Sequence, residues 1–256
     1  METEYFAGID IGSTITKVVI MEEQIVASVL SATGPEHRKL ANKVMEEALK
    51  QANLQFEQIK FIVATGYGRI NVPFADKQIT EISCHARGVN YFLPSVKTII
   101  DIGGQDSKGI KLNNNRVTEF VMNDKCAAGT GRFLEVMARA MEVNLDEFGA
   151  MSIKSKQPSK ISSLCTVFAE SEVISLIAKG EQRQDIIAGI HESIAARVSS
   201  MVGRVGIKEP VMITGGVARN IGVVQALEKK LGMKIEVSPY AQVNGAIGAA
   251  ILASSL

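Results

Sequence analysis

Twice along this chain, short apolar runs broken by glycine follow one another in the same order. Residues 6–11 and 16–21 are β-rich runs joined by a glycine turn, 24–31 reads as a third strand, and 36–52 places Leu40, Val44, Ala48 and Leu49 on one side of a helix. FIVATGYGR at 61–69 predicts a buried strand opening into a glycine-rich loop, which completes one βββαβ unit. After Pro94 the succession restarts: 96–102 is a strand, 107–112 its hairpin mate, NNNR at 113–116 a turn, and 117–122 a further strand. Helices are predicted over 131–141, 167–179 and 182–205, followed by the strand 210–214, the helix 218–231, the strand 234–237 and a last helix from Asn244. Nothing is low-complexity or linker-like, so two domains of one type are expected to pack closely. They span 1–93 and 94–240, with the helix in 241–256 expected back on the first.

The start of each unit carries its chemistry. IDIGST at 9–14 returns about ninety residues later as IDIGGQDSK at 100–108, and each copy closes on a lysine, Lys17 and Lys108. A strand that runs Asp, Ile, Gly and then small or hydroxylated residues suits a tight hairpin whose backbone amides can face a phosphate. One such hairpin is a weak signal; two suggest a duplicated fold that grips a nucleotide from both sides. Gly12, Ser13 and Thr14 in the first turn and Gly103, Gly104 and Gln105 in the second are the expected contacts, joined by Lys17 because it follows the first hairpin. Lys108 reads as a phosphate contact or a solvated strand-end charge. A third glycine turn, MITGGVARN at 212–220, stands between a strand and a helix. There Gly215 and Gly216 let the backbone approach a flat or charged group, and a helix N-terminus favours an anion or a polar ring edge. Alone, such a pair is more often a plain turn; beside two phosphate hairpins it reads as an adenosine pocket, with Arg219 among its contacts.

Composition narrows the partners. Lys and Arg number 28 against 27 Asp and Glu, a net charge of +1 that argues against a nucleic-acid surface or an electrostatically held membrane protein. The 256 residues, 46% of them hydrophobic, can bury a sizeable core without staples. No secretory pattern opens the sequence and no apolar stretch is long enough to span a bilayer, so a cytoplasmic protein is expected. Three cysteines, an odd count, argue against a disulfide framework. His37, His85 and His191 share no ligand spacing and read as surface or structural, and Met137 and Met141 read as core filling.

Two of the cysteines stand where helices start. In MNDKCAAGTGRFLEVMARAM, 122–141, Cys126 precedes a small-residue loop that opens into a helix. In SSLCTVFAESEVISL, 162–176, Cys165 follows Ser162 and Ser163 as cap candidates and precedes a second amphipathic helix. Partial positive charge at a helix end favours the thiolate that a metal or cluster requires. The alternative is a buried small hydrophobe, and Cys84 in EISCHARGV is read that way. Two cysteines per chain cannot complete the four-thiolate shell of a 4Fe-4S cluster, whereas a symmetric dimer supplying two from each copy can.

The hairpins and the adenosine turn, in this order, resemble the actin-like ATPase superfamily. The resemblance implies an α/β fold of two actin-like (ribonuclease H-like) domains with a nucleotide cleft between them. It also implies ATP or ADP held as a Mg2+ complex, with Asp10 and Asp101 handling the metal and the attacking water and Asp106 as a further candidate. NDKCAAGTGRFLE, SLCTVFAESE, IDIGGQDSK and TGYGR together resemble, more narrowly, the ATPase activators of 2-hydroxyacyl-CoA dehydratases, of BadF/BadG/BcrA/BcrD type. This group includes subunits of ATP-dependent benzoyl-CoA reductase and activators of double-cubane cluster proteins. It implies a homodimer sharing one 4Fe-4S cluster on Cys126 and Cys165. The cluster would use ATP to pass one electron to the iron-sulfur centre of a dehydratase or reductase, with ferredoxin or flavodoxin as donor. Gln242, in PYAQVNGAIG, enters as a base or ribose contact on the resemblance alone, and Gly129, in the loop 125–131, as a nucleotide contact. Lowering a donor by several hundred millivolts needs on the order of 10 kcal/mol, which nucleotide turnover supplies and a surface contact does not. The competing reading is a small-molecule kinase of the same superfamily, which needs no paired helix-end cysteines; a third is a filament-forming actin-like protein.

Overall fold

A computed structural model describes residues 3–162 and 165–256. Strands β1 (Tyr5–Ile11), β2 (Ile15–Met21) and β3 (Ile25–Ala32) form an antiparallel meander, α1 (His37–Ala52) crosses over, and β4 (Ile59–Thr65) returns parallel to β1. After β5 (Lys77–Gln78) and α2 (Glu81–Phe92), the succession repeats with β6 (Thr98–Ile102), β7 (Ser107–Asn113) and β8 (Arg116–Asn123). Four helices follow: α3 (Gly131–Ala140), α4 (Leu145–Ser152), α5 (Thr166–Ala178) and α6 (Arg183–Val202). The chain then runs through β9 (Val211–Thr214), α7 (Ile221–Leu231), β10 (Ile235–Val237) and α8 (Asn244–Ala253). The first sheet has the order β3-β2-β1-β4-β5 and the second β10-β9-β6-β7-β8, the same order read from the opposite edge. Two compact units result, one of Met1–Val96, Leu112–Thr118 and Ser238–Leu256, the other of Lys97–Lys111 and Glu119–Val237. Among the described residues no helix is long and apolar enough to cross a membrane.

In the first unit the pleat of β1 sends Ala7, Ile9 and Ile11 to one face, where Val44, Met45 and Ala48 of α1 cover them. Gly8 and Asp10 take the other face. There α8 runs so close that a β-carbon on Gly8 would collide with Ala246 O, while Ala246, Ile247 and Ala250 pack on Val19 and Met21. Close approach also joins α2 to α8: a β-carbon on Gly88 would collide with Asn244 O, and one on Gly248 with Cys84 O. In the second unit β6 is buried along its whole length. Its start is fixed by Thr98, whose Oγ1 donates to Lys208 O at 2.8 Å and accepts from Lys208 N at 2.9 Å.

Several expected elements shift. The helices α2 and α4 lie where the apolar pattern gives none. The helix expected over 218–231 begins at Ile221, because Asn220 caps it, accepting from Gly222 N and Val223 N, and Gly216–Arg219 turns as a 3-10 segment. Ser162 is not the cap of α5: its N–H and hydroxyl both donate to Glu172, and the N-cap residue is Cys165 itself. Ser163, the other expected cap, lies outside the described residues. Nor is α5 amphipathic in the simple sense, since Ala169 and Val173 are its buried residues while Val167, Phe168 and Ile174 are exposed.

Candidate nucleotide and thiol sites

Each hairpin brings its aspartate and its lysine face to face. Asp10 pairs with Lys17 across β1 and β2, and Lys17 Nζ lies 2.9 Å from Asp10 Oδ2. The turn between them is closed by Gly12 N donating to Ile15 O at 3.1 Å, leaving Ser13 exposed and Gly12 and Thr14 half-buried. In the second unit Asp101 pairs with Lys108, whose Nζ lies 3.3 Å from Asp101 Oδ2 and 2.7 Å from Asp106 Oδ2. Gly103 N donates to Asp106 O at 2.9 Å, with Gly104 half-buried and Gln105 exposed in the turn. Lys108 is 2% exposed, so it is not the solvated strand-end charge that its sequence position allowed. As the cross-strand partner of a buried aspartate, it points inward and carries two carboxylates. Its signal in the sequence was the spacing it shares with Asp10 and Lys17.

The adenosine-type turn crosses directly over Asp101. Gly215 has φ +88°, and a β-carbon there would collide with Ile102 O and lie 2.9 Å from Asp101 Oδ1, so only glycine fits. Gly216 and Arg219 stand in the 3-10 segment, which Asn220 anchors through a chain of side chains. Asn220 Oδ1 accepts from the helix amides, so its Nδ2 donates to His191 Nε2 at 3.3 Å. His191 Nδ1 then donates to Ser152 Oγ at 2.9 Å, whose hydroxyl donates to Gly149 O at 3.1 Å. Burial lowers the His191 pKa to about 3, so the ring is neutral, as this network requires. The sequence, in which His191 reads as surface or structural, carries no signal that places it behind this turn.

The second hairpin, the cysteine loop and the glycine turn after β9 meet at Gly131. The first two amides of α3 donate to the hairpin, Gly131 N to Gly103 O at 2.8 Å and Arg132 N to Gly104 O at 2.7 Å. A β-carbon on Gly131 would lie 3.1 Å from Gly103 O and 3.4 Å from Val217 Cγ2 of the turn. Five residues upstream, Cys126 is half-buried, and its carbonyl accepts from Asn123 Nδ2 at 2.8 Å, as does Ala128 O at 3.1 Å. Asn123 therefore braces the cysteine loop, a role its place in the NDKC motif did not disclose. Gly129 takes φ +88° in this loop, against Arg197. Cys165 is exposed at the start of α5. Both are free thiols, Cys165 at the N-cap of α5 and Cys126 in the loop five residues ahead of α3; thiols suit an iron-sulfur cluster, and two per chain are half of four. Among the described residues no group of three or more His, Cys, Asp or Glu gathers to hold a metal ion. Cys84 differs: it is fully buried, and burial pushes its thiol up to about 12. Gln242 lies in the first unit, half-buried in the turn ahead of α8.

Two mixed sheets of one order, each with an aspartate-lysine hairpin at its centre, define an actin-like fold. A glucokinase of the ROK family from Streptomyces griseus shares it with a TM-score of 0.62 at 14% identity, over 98% of this chain and 100% of that one. The chain belongs to the BadF/BadG/BcrA/BcrD ATPase family, whose model matches residues 7–253. It is 52% identical over 254 residues to the 2-hydroxyisocaproyl-CoA dehydratase activator of Clostridioides difficile, covering 97% of this chain and 94% of that protein. Component A of the (R)-2-hydroxyglutaryl-CoA dehydratase of Acidaminococcus fermentans superposes with a TM-score of 0.95 at 50% identity, over 98% of both chains. The 2-hydroxyisocaproyl-CoA dehydratase activator of Clostridium difficile with bound ADPNP gives 0.93 at 50% identity, over 98% of this chain and 94% of that one.

Proposed function

We propose that this chain is an ATP-dependent reductive activator, with its two units as its two domains. It works as a cytoplasmic homodimer that couples ATP hydrolysis to low-potential one-electron transfer. The receiving partner is an iron-sulfur enzyme: a 2-hydroxyacyl-CoA dehydratase, a benzoyl-CoA reductase-like enzyme or a double-cubane protein, with ferredoxin or flavodoxin as donor. Asp10 and Asp101, with Asp106, position Mg2+ and the attacking water. The amides and side chains of Gly12, Ser13, Thr14, Lys17, Gly103, Gly104, Gln105 and Gly129 hold the phosphates, while Gly215, Gly216, Arg219 and Gln242 hold the adenosine. Cys126 and Cys165 of each copy would ligate the shared 4Fe-4S cluster. When bound, that cluster supplies a one-electron carrier. The observation that carries the reading is the pair of hydrogen bonds from Gly131 N and Arg132 N to the second hairpin. Through them, any movement of the hairpin on hydrolysis pulls the helix that begins the cysteine loop's exit.

Iron and acid-labile sulfide, measured with the visible spectrum on protein purified without oxygen, test the proposal. About four of each per dimer are expected, lost in both Cys126→Ala and Cys165→Ala. Colourless protein that still hydrolyses ATP would instead point to a kinase or another actin-like ATPase.

A further inference from the structure

The turn after β4 in the first unit repeats the turn after β9 in the second. The segments read TGYGRIN at 65–71 and TGGVARN at 214–220. Thr65 lies opposite Asp10 across parallel strands as Thr214 lies opposite Asp101, and both threonines are fully buried. Gly66 and Gly215 share φ near +89° and +88°. A β-carbon on Gly66 would collide with Asp10 Oδ1 and lie 2.5 Å from Ile11 O, as one on Gly215 would meet Asp101 Oδ1 and Ile102 O. Arg69 N donates to Gly66 O at 3.3 Å and Ala218 N to Gly215 O at 3.2 Å. Asn71 N donates to Gly68 O, and Asn220 N to Val217 O, both at 2.9 Å. Even the asparagine amides agree, Asn71 meeting His37 at 3.4 Å and Asn220 meeting His191 at 3.3 Å.

The copies differ in their outward positions. Where the second turn has Gly216 and Arg219, the first has Tyr67 and Ile70, 78% and 72% exposed, and Asn71 leads to Pro73 instead of into a helix. The first copy has thus kept the part that sits on the aspartate without the part read as holding adenosine. It also has an added fastening, since Arg69 donates from its guanidinium to Gly66 O at 3.1 Å, while Gly68 N donates to Ile11 O at 2.9 Å.

We propose that Arg69 is a positioning residue for ATP hydrolysis, acting through Gly66 on the carboxylate of Asp10. The proposal rests on the reading of Asp10 as part of the nucleotide site. Lys17 pairs with Asp10 Oδ2, and the Gly66 backbone passes so near Oδ1 that a β-carbon on it would collide with that oxygen. Without the guanidinium Gly66 O keeps only the longer bond from Arg69 N, which loosens the backbone beside Oδ1, and a carboxylate that orients metal or water loses rate when its placement drifts by a fraction of an ångström.

The test is steady-state ATP hydrolysis by the full chain carrying Arg69→Met, Arg69→Lys, Tyr67→Ala or Asp10→Asn, with binding of a fluorescent ADP analogue and thermal melting alongside. Arg69→Met is expected to lower kcat on the order of tenfold while KM for ATP and analogue binding move by less than about twofold. Arg69→Lys, which can still donate to Gly66 O, recovers part of the loss, and Tyr67→Ala keeps the wild-type rate. Should Arg69→Met fail to fold, the intermediate kcat of Arg69→Lys at an unchanged melting temperature carries the test. A wild-type kcat in folded Arg69→Met, or a loss confined to KM, overturns the proposal. If Asp10→Asn hydrolyses ATP normally, the reading of Asp10 fails, and this proposal with it.

Discussion

A lysine with 2% of its surface exposed survives in the second unit because two carboxylates meet it, Asp101 from its partner strand and Asp106 from the turn. Replacing Lys108 with Met removes the cation they share, and breaking a buried pair by deleting one partner costs roughly 3 to 5 kcal/mol. Urea unfolding should show a loss of that size. The same substitution at Lys17, whose side chain is 16% exposed, is expected to cost less. The repeated Asp-to-Lys spacing was legible because strand alternation around a tight hairpin puts the two residues opposite each other. That Lys108 would be buried was not, because burial is decided by the helices that pack on the sheet. His191 shows the same limit, having no ligand spacing and no motif. Its folded pKa of about 3 lies below the ordinary 6.5, so the native state binds fewer protons than the unfolded chain. Its contribution to stability is therefore complete above pH 6.5 and falls as pH drops toward 3, by about 1.4 kcal/mol per unit. Urea unfolding from about pH 6 to 4, between the two values, should show that slope in the wild type and lack it in His191→Gln. Equal slopes would mean that the ring takes up a proton in the fold as readily as in the unfolded chain.

Helices are where periodicity served well and also where it failed. Helix α1 was visible because Val44, Ala48 and Leu49 repeat on its buried side. Helix α2 was not, because its buried side is Cys84, His85, Ala86, Gly88 and Val89, small or polar residues that leave no apolar stripe. Those small residues exist so that α8 can come close. Gly248→Ala puts a methyl group into Cys84 O and is expected to cost about 3 kcal/mol or more in thermal or urea unfolding. Gly203→Ala is the contrast: it has helical φ, −54°, and nothing within 4 Å of an added β-carbon. It should be neutral or stabilising by up to about 1 kcal/mol. The α7 boundary departs from the sequence pattern for a different reason, since Gly216–Arg219 continues the apolar pattern while Asn220, the third residue of the expected helix, supplies the cap.

At the scale of the molecule, the duplication was legible from two copies of IDIG, and the strand orders confirm that both sheets are built alike. The second duplication, TGYGRIN against TGGVARN, is faint in the sequence because only the threonine, the glycine after it and the final asparagine are shared, while the four residues between them differ. Backbone geometry, φ near +89° and shared hydrogen bonds, is what the two turns have in common. The family was legible through motif resemblance, and the contact at Gly131 that ties the cysteine loop to the second hairpin needed the fold. One consequence concerns the order of synthesis. Residues 238–256 complete the first unit but follow every residue of the second in sequence. On a ribosome, which delivers the chain from its N-terminus, the second unit can close while the α8 face of the first sheet still lies bare. The slot formed at Gly8 and Gly88 then waits for the last helix to be released. The unit whose strands emerge first is the one that finishes folding last.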